Sequence, residues 1–310
     1  MLENAKGILL PFTSPFDDLG QVHLDAIRSN ILSWNKTDIR GYVCLGSTGE
    51  RVHLDEREYL QVIETARAEV PSGPGGLAFI VGAGQQSTIG TISEIKKAAQ
   101  AGADAVLVIT PYFYRSAITQ ESLTTYYNAV ADASPVGVLL YSMPALTGVN
   151  IEPETIARLS EHPNIIGVKD SSNDMAGFSK TVKLCPADFA VMTGNGTVLL
   201  DALRAGATGG ILAVGCAVPE ICHEIFRTFN SGEVERASVL QSKLTPLAAA
   251  VTTRFGIGGL KAALDLAGYQ GGAVRAPLRA PDESARVEIA RLLKEVRSTI
   301  AELENAESVR

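Results

Sequence analysis

Ile165-Ile166-Gly167-Val168-Lys169-Asp170-Ser171-Ser172 is an apolar run that stops at charge and hydroxyls. Its β-branched residues favour a strand, and the polar step marks where that strand ends. The same pattern recurs at residues 7–12, 42–45, 77–81, 105–109, 138–143, 189–193 and 210–214, which makes eight runs with 165–168. Their starts lie 21 to 35 residues apart. Each gap has room for a loop and one crossover helix. The runs are near-continuous rather than alternating, as parallel strands covered by helices require.

Helical patterns fall at 54–69, 89–101, 152–160 and 201–205, with Gly102 and Gly206 as stops. Eight strand-helix units predict an α/β fold of the closed (β/α)8 TIM-barrel type. An open doubly wound sheet would favour a glycine-rich dinucleotide turn after its first strand. Pro11-Phe12-Thr13-Ser14-Pro15 is not such a turn. Beyond Gly215 only helical patterns remain, at 219–229, 234–249, 259–266 and an amphipathic 283–303. The expected organisation is a barrel over 1–230 and a C-terminal helical extension over 231–310, which packs on its own barrel or joins subunits.

The chain has 310 residues, 46% of them hydrophobic, and a formal charge of -7. That is enough apolar material for a large core. No block of five or six basic residues offers a nucleic-acid surface. No apolar run reaches the 18 or so residues that suggest a membrane span. The start, Met1 to Gly7, lacks a basic segment leading into an apolar stretch, so a cytoplasmic location is expected. Cys44, Cys185, Cys216 and Cys222 show no close CxxC spacing and read as reduced thiols. His23, His53, His162 and His223 show no HExxH or other close ligand spacing, and no metal is expected.

Barrel enzymes place their chemistry at the C-terminal ends of strands. Lys169 stands at one such end and Tyr141, closing Gly137-Val138-Leu139-Leu140, at the preceding one. An amine at an apolar edge is costly to desolvate unless it is paired or used, and burial favours the neutral, nucleophilic form of an amine. Together they suggest Schiff-base chemistry on a keto acid. The bland readings are a lysine snorkelling to solvent and a phenol bonded within the core. Gly46-Ser47-Thr48-Gly49-Glu50 sets two hydroxyls between glycines after another strand, which suits a carboxylate or an ordinary capped turn. Thr110, Asn195 and the Gly194-Asn195-Gly196 turn sit at further strand ends. Asp170, adjacent to Lys169 on an extended strand, points elsewhere. Arg254, Lys261 and Arg275 read as surface or structural charges.

The chain resembles the pyruvate-dependent class I aldolases related to dihydrodipicolinate synthase and N-acetylneuraminate lyase. Gly46-Ser47-Thr48-Gly49-Glu50, Thr110-Pro111-Tyr112, Tyr141-Ser142-Met143-Pro144 and Gly167-Val168-Lys169-Asp170 carry the likeness. The resemblance implies a barrel with a C-terminal helical domain, assembled as a homotetramer or homodimer. It implies Lys169 as the Schiff-base lysine, Tyr141 as the proton-transfer residue, and Ser47 and Thr48 at the pyruvate carboxylate. Gly194 and Leu212 match positions lining the keto-acid pocket, Leu212 partly through its backbone. No separate cofactor is implied, since the covalent imine on Lys169 supplies the electron sink. The partner is a small 2-keto acid, with neither nucleic acid nor membrane.

Two positions depart from dihydrodipicolinate synthases. Leu146 stands where they usually carry an arginine for the aldehyde substrate's carboxylate. Phe113 stands where they carry a tyrosine that crosses the subunit interface, with Tyr114 one residue on. Leu146 also fits the sialic-acid lyases. Tyr141-Ser142-Met143-Pro144-Ala145, Thr110-Pro111-Tyr112-Phe113-Tyr114-Arg115 and Thr252-Thr253-Arg254-Phe255-Gly256-Ile257 look like mitochondrial-type 4-hydroxy-2-oxoglutarate aldolase. The leading expectation is therefore cleavage of 4-hydroxy-2-oxoglutarate to pyruvate and glyoxylate, with Arg115 at the second carboxylate. Condensation of pyruvate with aspartate semialdehyde and sugar-acid cleavage are the alternatives. A pyruvate-responsive binding barrel is the non-enzymatic one, disfavoured by the intact Lys169, Tyr141, Ser47 and Thr48.

Overall fold

The computed structural model describes residues 6–308, with side chains described for residues 6–300. The polar start read above falls largely on residues 1–5, outside the described residues. Eight parallel strands close into a barrel in chain order. They are β1 (Gly7–Leu10), β2 (Gly41–Cys44), β3 (Ala78–Ala83), β4 (Ala105–Ile109), β5 (Gly137–Ser142), β6 (Ile165–Asp170), β7 (Ala190–Thr193) and β8 (Gly209–Ile211). The helices of the barrel are α1 (Leu24–Trp34), α2 (Glu56–Glu69), α3 (Thr88–Gln100), α4 (Gln120–Ala133), α5 (Pro144–Thr147), α6 (Pro153–Leu159), α7 (Met175–Leu184), α8 (Leu199–Arg204) and α9 (Pro219–Asn230). Then come α10 (Val234–Ala249), α11 (Gly256–Ala267) and α12 (Glu283–Ser308). The expected TIM barrel with a C-terminal helical extension is what the chain forms.

Alternation along the strands sorts the core into two layers. Leu9, Val43, Ile80, Leu107, Leu139, Tyr141, Met192 and Ile211 fill the barrel. Their sequence neighbours, such as Leu10, Tyr42, Val81, Val106, Leu140 and Val168, pack outward with the helices. The closing seam pairs β1 with β8, Gly7 opposite Gly209. A Cβ on Gly209 would stand 1.9 Å from the Gly7 carbonyl oxygen, at φ +156°. Only glycine fits there, so this residue lets the cylinder close.

Boundaries differ from expectation for local reasons. β1 ends at Leu10 rather than residue 12, because Pro11 has no N–H for the ladder. β8 ends at Ile211, and Gly215 N–H donates to the Leu212 carbonyl (3.1 Å) to start a 3-10 turn over Ala213–Cys216. The helix expected from residue 54 begins at Glu56, because Asp55 and Glu58 form a reciprocal capping box. No helix among the described residues is long and apolar enough to cross a membrane.

The extension reaches the rim formed by the C-terminal ends of the strands. Gln241 on α10 donates to the Gly196 carbonyl (3.0 Å) and accepts from the Leu200 N–H (3.0 Å). It thereby fixes the turn after β7. A π-helical turn over Ala250–Arg254 links α10 to α11. Such turns inside α-helices mark irregular, often functional, segments.

Candidate active site

β5 and β6 set the centre of the site. Their register shifts between Val138 and Leu139, and this leaves Tyr141 directly opposite Lys169. Val168 packs in the outer layer, so its neighbour Lys169 points into the barrel. Lys169 is 3% exposed and its Nζ lies 4.5 Å from the centre of the Tyr141 ring. The amine is therefore enclosed rather than snorkelling, and the ring face supplies a cation–π contact whenever it is charged.

Tyr141 Oη lies 3.0 Å from Ser47 Oγ, and either atom can donate. Other buried phenols have structural partners. Tyr59 and Tyr127 donate to the carbonyls of Gly82 and Val108, and burial pushes both phenols well up. Tyr141 is the tyrosine of the inner layer, and it pairs with a hydroxyl that can pass a proton on.

Ser47 and Thr48 sit on the turn after β2. Gly49 N–H donates to the Gly46 carbonyl and Glu50 N–H to the Ser47 carbonyl, both at 3.1 Å. Among the described residues, the N–H groups of Ser47 and Thr48 have no acceptor. Two free N–H groups beside two hydroxyls form a receptor for an anion. Leu45 (φ 57°) and Glu50 (φ 53°) flank this turn in the left-handed region, costly for residues with a side chain.

Gly194, after β7, gives the amine its space. A Cβ there would stand 2.8 Å from Lys169 Cε and 1.8 Å from Ser171 Oγ. Leu212 is fully buried, but its side chain belongs to the outer layer. Its N–H donates to the Leu9 carbonyl (3.1 Å), so neither its side chain nor its N–H faces the barrel interior. Asp170 turns away from Lys169 and accepts from the Ser172 N–H at 2.7 Å, and burial raises its carboxyl.

The rim residues are exposed. Leu146, on α5, is 63% exposed. Tyr114 is 71% exposed, stacks edge-on with Phe113, and lines a cleft of about 910 Å³ with Arg51, Tyr59, Gly84, Glu94 and Tyr112. That cleft does not include Lys169 or Tyr141. Arg115 reaches Gly148, the residue that ends α5. A Cβ on Gly148 would meet its Cδ at 3.1 Å and its Nη1 at 3.2 Å. Arg115 forms no ion pair among the described residues.

Sequence profiles give the family. That of the dihydrodipicolinate synthetase family matches residues 4–296. The chain belongs to this family. Members of the family work through a Schiff-base lysine without an external cofactor, and this protein is an enzyme of the class I pyruvate-dependent aldolase and lyase superfamily. It is 33% identical to the 4-hydroxy-tetrahydrodipicolinate synthase of Syntrophus aciditrophicus over 293 residues, which cover 93% of this chain and 97% of that one. It is 32% identical to the synthase of the same name from Methanopyrus kandleri, over 94% of this chain and 96% of that one. The solved dihydrodipicolinate synthase of Thermotoga maritima superposes with a TM-score of 0.87 at 30% identity, covering 94% of this chain and 98% of that one. A prophage protein of the family from E. coli K12, solved in complex with pyruvate, superposes at 0.87 with 27% identity, over 94% and 98% of the two chains.

These relatives correct the expected branch. The short motifs pointed to 4-hydroxy-2-oxoglutarate aldolase, whereas whole-chain similarity points to proteins named 4-hydroxy-tetrahydrodipicolinate synthase. The misleading positions, Phe113 and Leu146, are both exposed at the rim. Surface positions tolerate substitution far more freely than the enclosed centre.

Structure also adds residues that the sequence did not single out. Ser142 Oγ donates to Asn150 Oδ1 (3.0 Å), tying the end of β5 to the chain beyond α5. Of the charges read above as surface or structural, Lys261 is fully buried, Arg275 forms a two-pronged pair with Glu58, and Arg254 pairs with Glu288 at the surface.

Proposed function

We propose that the chain is a 4-hydroxy-tetrahydrodipicolinate synthase, joining pyruvate to aspartate semialdehyde through an imine on Lys169. The observation that carries this reading is the enclosed Lys169–Tyr141–Ser47 cluster, in a chain whose full-length relatives bear that name.

The Lys169 amine attacks C2 of pyruvate, and loss of water leaves a protonated imine. The imine draws electrons from the neighbouring methyl, which loses a proton to give an enamine. The enamine carbon bonds to the aldehyde carbon of the second substrate. The aldehyde oxygen takes a proton from Tyr141 Oη, with Ser47 Oγ next in the relay. The amino group of the semialdehyde then attacks the imine carbon, closing the ring and releasing the Lys169 amine. One water is lost overall. Ser47, Thr48 and their free N–H groups hold the pyruvate carboxylate and so fix the imine plane.

The second carboxylate needs a cation at the rim. Leu146 supplies none, and Arg115, packed against Gly148 two residues further on, supplies one from the neighbouring loop. The arginine of the family's pattern, absent at Leu146, is thus replaced by a guanidinium from the β4 side. Arg115→Ala raises KM for aspartate semialdehyde by about tenfold or more. Trapping of the pyruvate imine by borohydride stays as in the parent. Steady-state kinetics in both substrates checks this, and an unchanged KM for the semialdehyde removes Arg115 from the site.

A further inference from the structure

The Ser47–Thr48 turn is strained at both ends, and something must hold it. Leu45 is fixed by burial in the core. Glu50 is fixed by charge. Its side chain is 1% exposed, and Oε1 lies 2.6 Å from Nζ of Lys261 on α11. The Lys261 ammonium is equally buried and donates to the carbonyls of Ser14 (2.7 Å) and Ala273 (2.6 Å). The contact with Glu50 adds a buried ion pair to these two bonds. Glu50 Oε2 takes the Arg275 N–H (3.2 Å) and sits 2.9 Å from His53 Nδ1. Ser14 closes the circuit, its Oγ donating to the Gly49 carbonyl at 2.7 Å.

One chain of contacts thus runs from α11 through Lys261 to Ser14 and Glu50, and from them to the turn that carries Ser47 and Thr48. A buried ion pair between apolar walls contributes little net stability compared with apolar packing. Its use here is geometric. It over-determines a backbone that would otherwise relax out of the left-handed region. Such a relaxation swings the two hydroxyls and the free N–H groups away from the barrel mouth.

We propose that Glu50, Lys261 and Ser14 are positioning residues that hold the Ser47–Thr48 turn in its anion-binding geometry, so that the C-terminal extension sets the enzyme's hold on its keto acid. This rests on the reading above that Ser47 and Thr48 bind the pyruvate carboxylate.

The test titrates pyruvate in the presence of borohydride and reads the mass-shifted fraction of full-length protein. Glu50→Gln removes the charge and keeps the shape. Ser14→Ala deletes one hydrogen bond and no charge, and it decides the matter if Glu50→Gln does not fold. The half-saturating pyruvate concentration rises roughly tenfold or more in Glu50→Gln, and in the same direction but less in Ser14→Ala, with the adduct still filling at high pyruvate. Leu293→Ala, on α12 and far along the chain from the turn, lowers the melting temperature without moving half-saturation, which separates positioning from stability. Thr48→Val tests the underlying clamp. If Thr48→Val shifts half-saturation while folded Glu50→Gln and Ser14→Ala titrate like the parent, the positioning inference alone is overturned. If Thr48→Val also titrates like the parent, the clamp and the inference fall together.

Discussion

Lys169→Ala abolishes covalent capture of pyruvate and lowers turnover by about four orders of magnitude or more. The size follows from what the amine does. Without it no imine forms, and the methyl carbon of pyruvate has no electron sink near neutral pH. The proposed clamp of hydroxyls and N–H groups stays in place, but binding alone leaves the carbon–carbon step close to its rate in water. Lys169 has no stand-in at the centre. Lys261, the other buried lysine, donates to the carbonyls of Ser14 and Ala273 and pairs with the Glu50 carboxylate. The check is the whole-protein mass after pyruvate and borohydride. A mass increase retained by the variant removes Lys169 from the mechanism.

Tyr141→Phe has the second-largest effect. It lowers turnover by about 100- to 10,000-fold and leaves imine trapping largely intact. The ring, and so the packing against Lys169, is kept. Only the Oη–Ser47 link is lost. A proton relay deleted from an enclosed site slows each step that moves a proton. It spares the first attack on the ketone, for which the lysine and the carboxylate clamp suffice. Single-turnover trapping set beside steady-state turnover separates the two. Turnover equal to that of the parent excludes the phenol from proton transfer.

The barrel was legible because buried parallel strands leave apolar runs, and each of the eight runs overlaps a strand. Lys169, Tyr141 and Ser47 were legible for a related reason. Each breaks an apolar run where the strand meets the catalytic rim, and a polar group there is conspicuous. Three things were not. The capping box at Asp55 and the missing N–H of Pro11 each moved an element end by two residues, through local backbone bonding that periodicity does not register. Leu212 packs outward, which depends on where β8 stops. The Lys261–Glu50 pair joins residues 211 positions apart, and no local pattern connects them. A signal did exist. Lys261 is a lone cation within Gly258-Gly259-Leu260-Lys261-Ala262-Ala263-Leu264, and a charge in so apolar a helix needs a buried partner. The branch of the family was misread at two exposed rim positions, Phe113 and Leu146, away from the enclosed amine.

The most direct test compares kcat/KM of the purified enzyme for condensing aspartate semialdehyde with pyruvate against kcat/KM for cleaving 4-hydroxy-2-oxoglutarate and N-acetylneuraminate. The account predicts about 10,000 M⁻¹ s⁻¹ or more for condensation, and at least about 100-fold less for either cleavage. A larger value for either cleavage would contradict it.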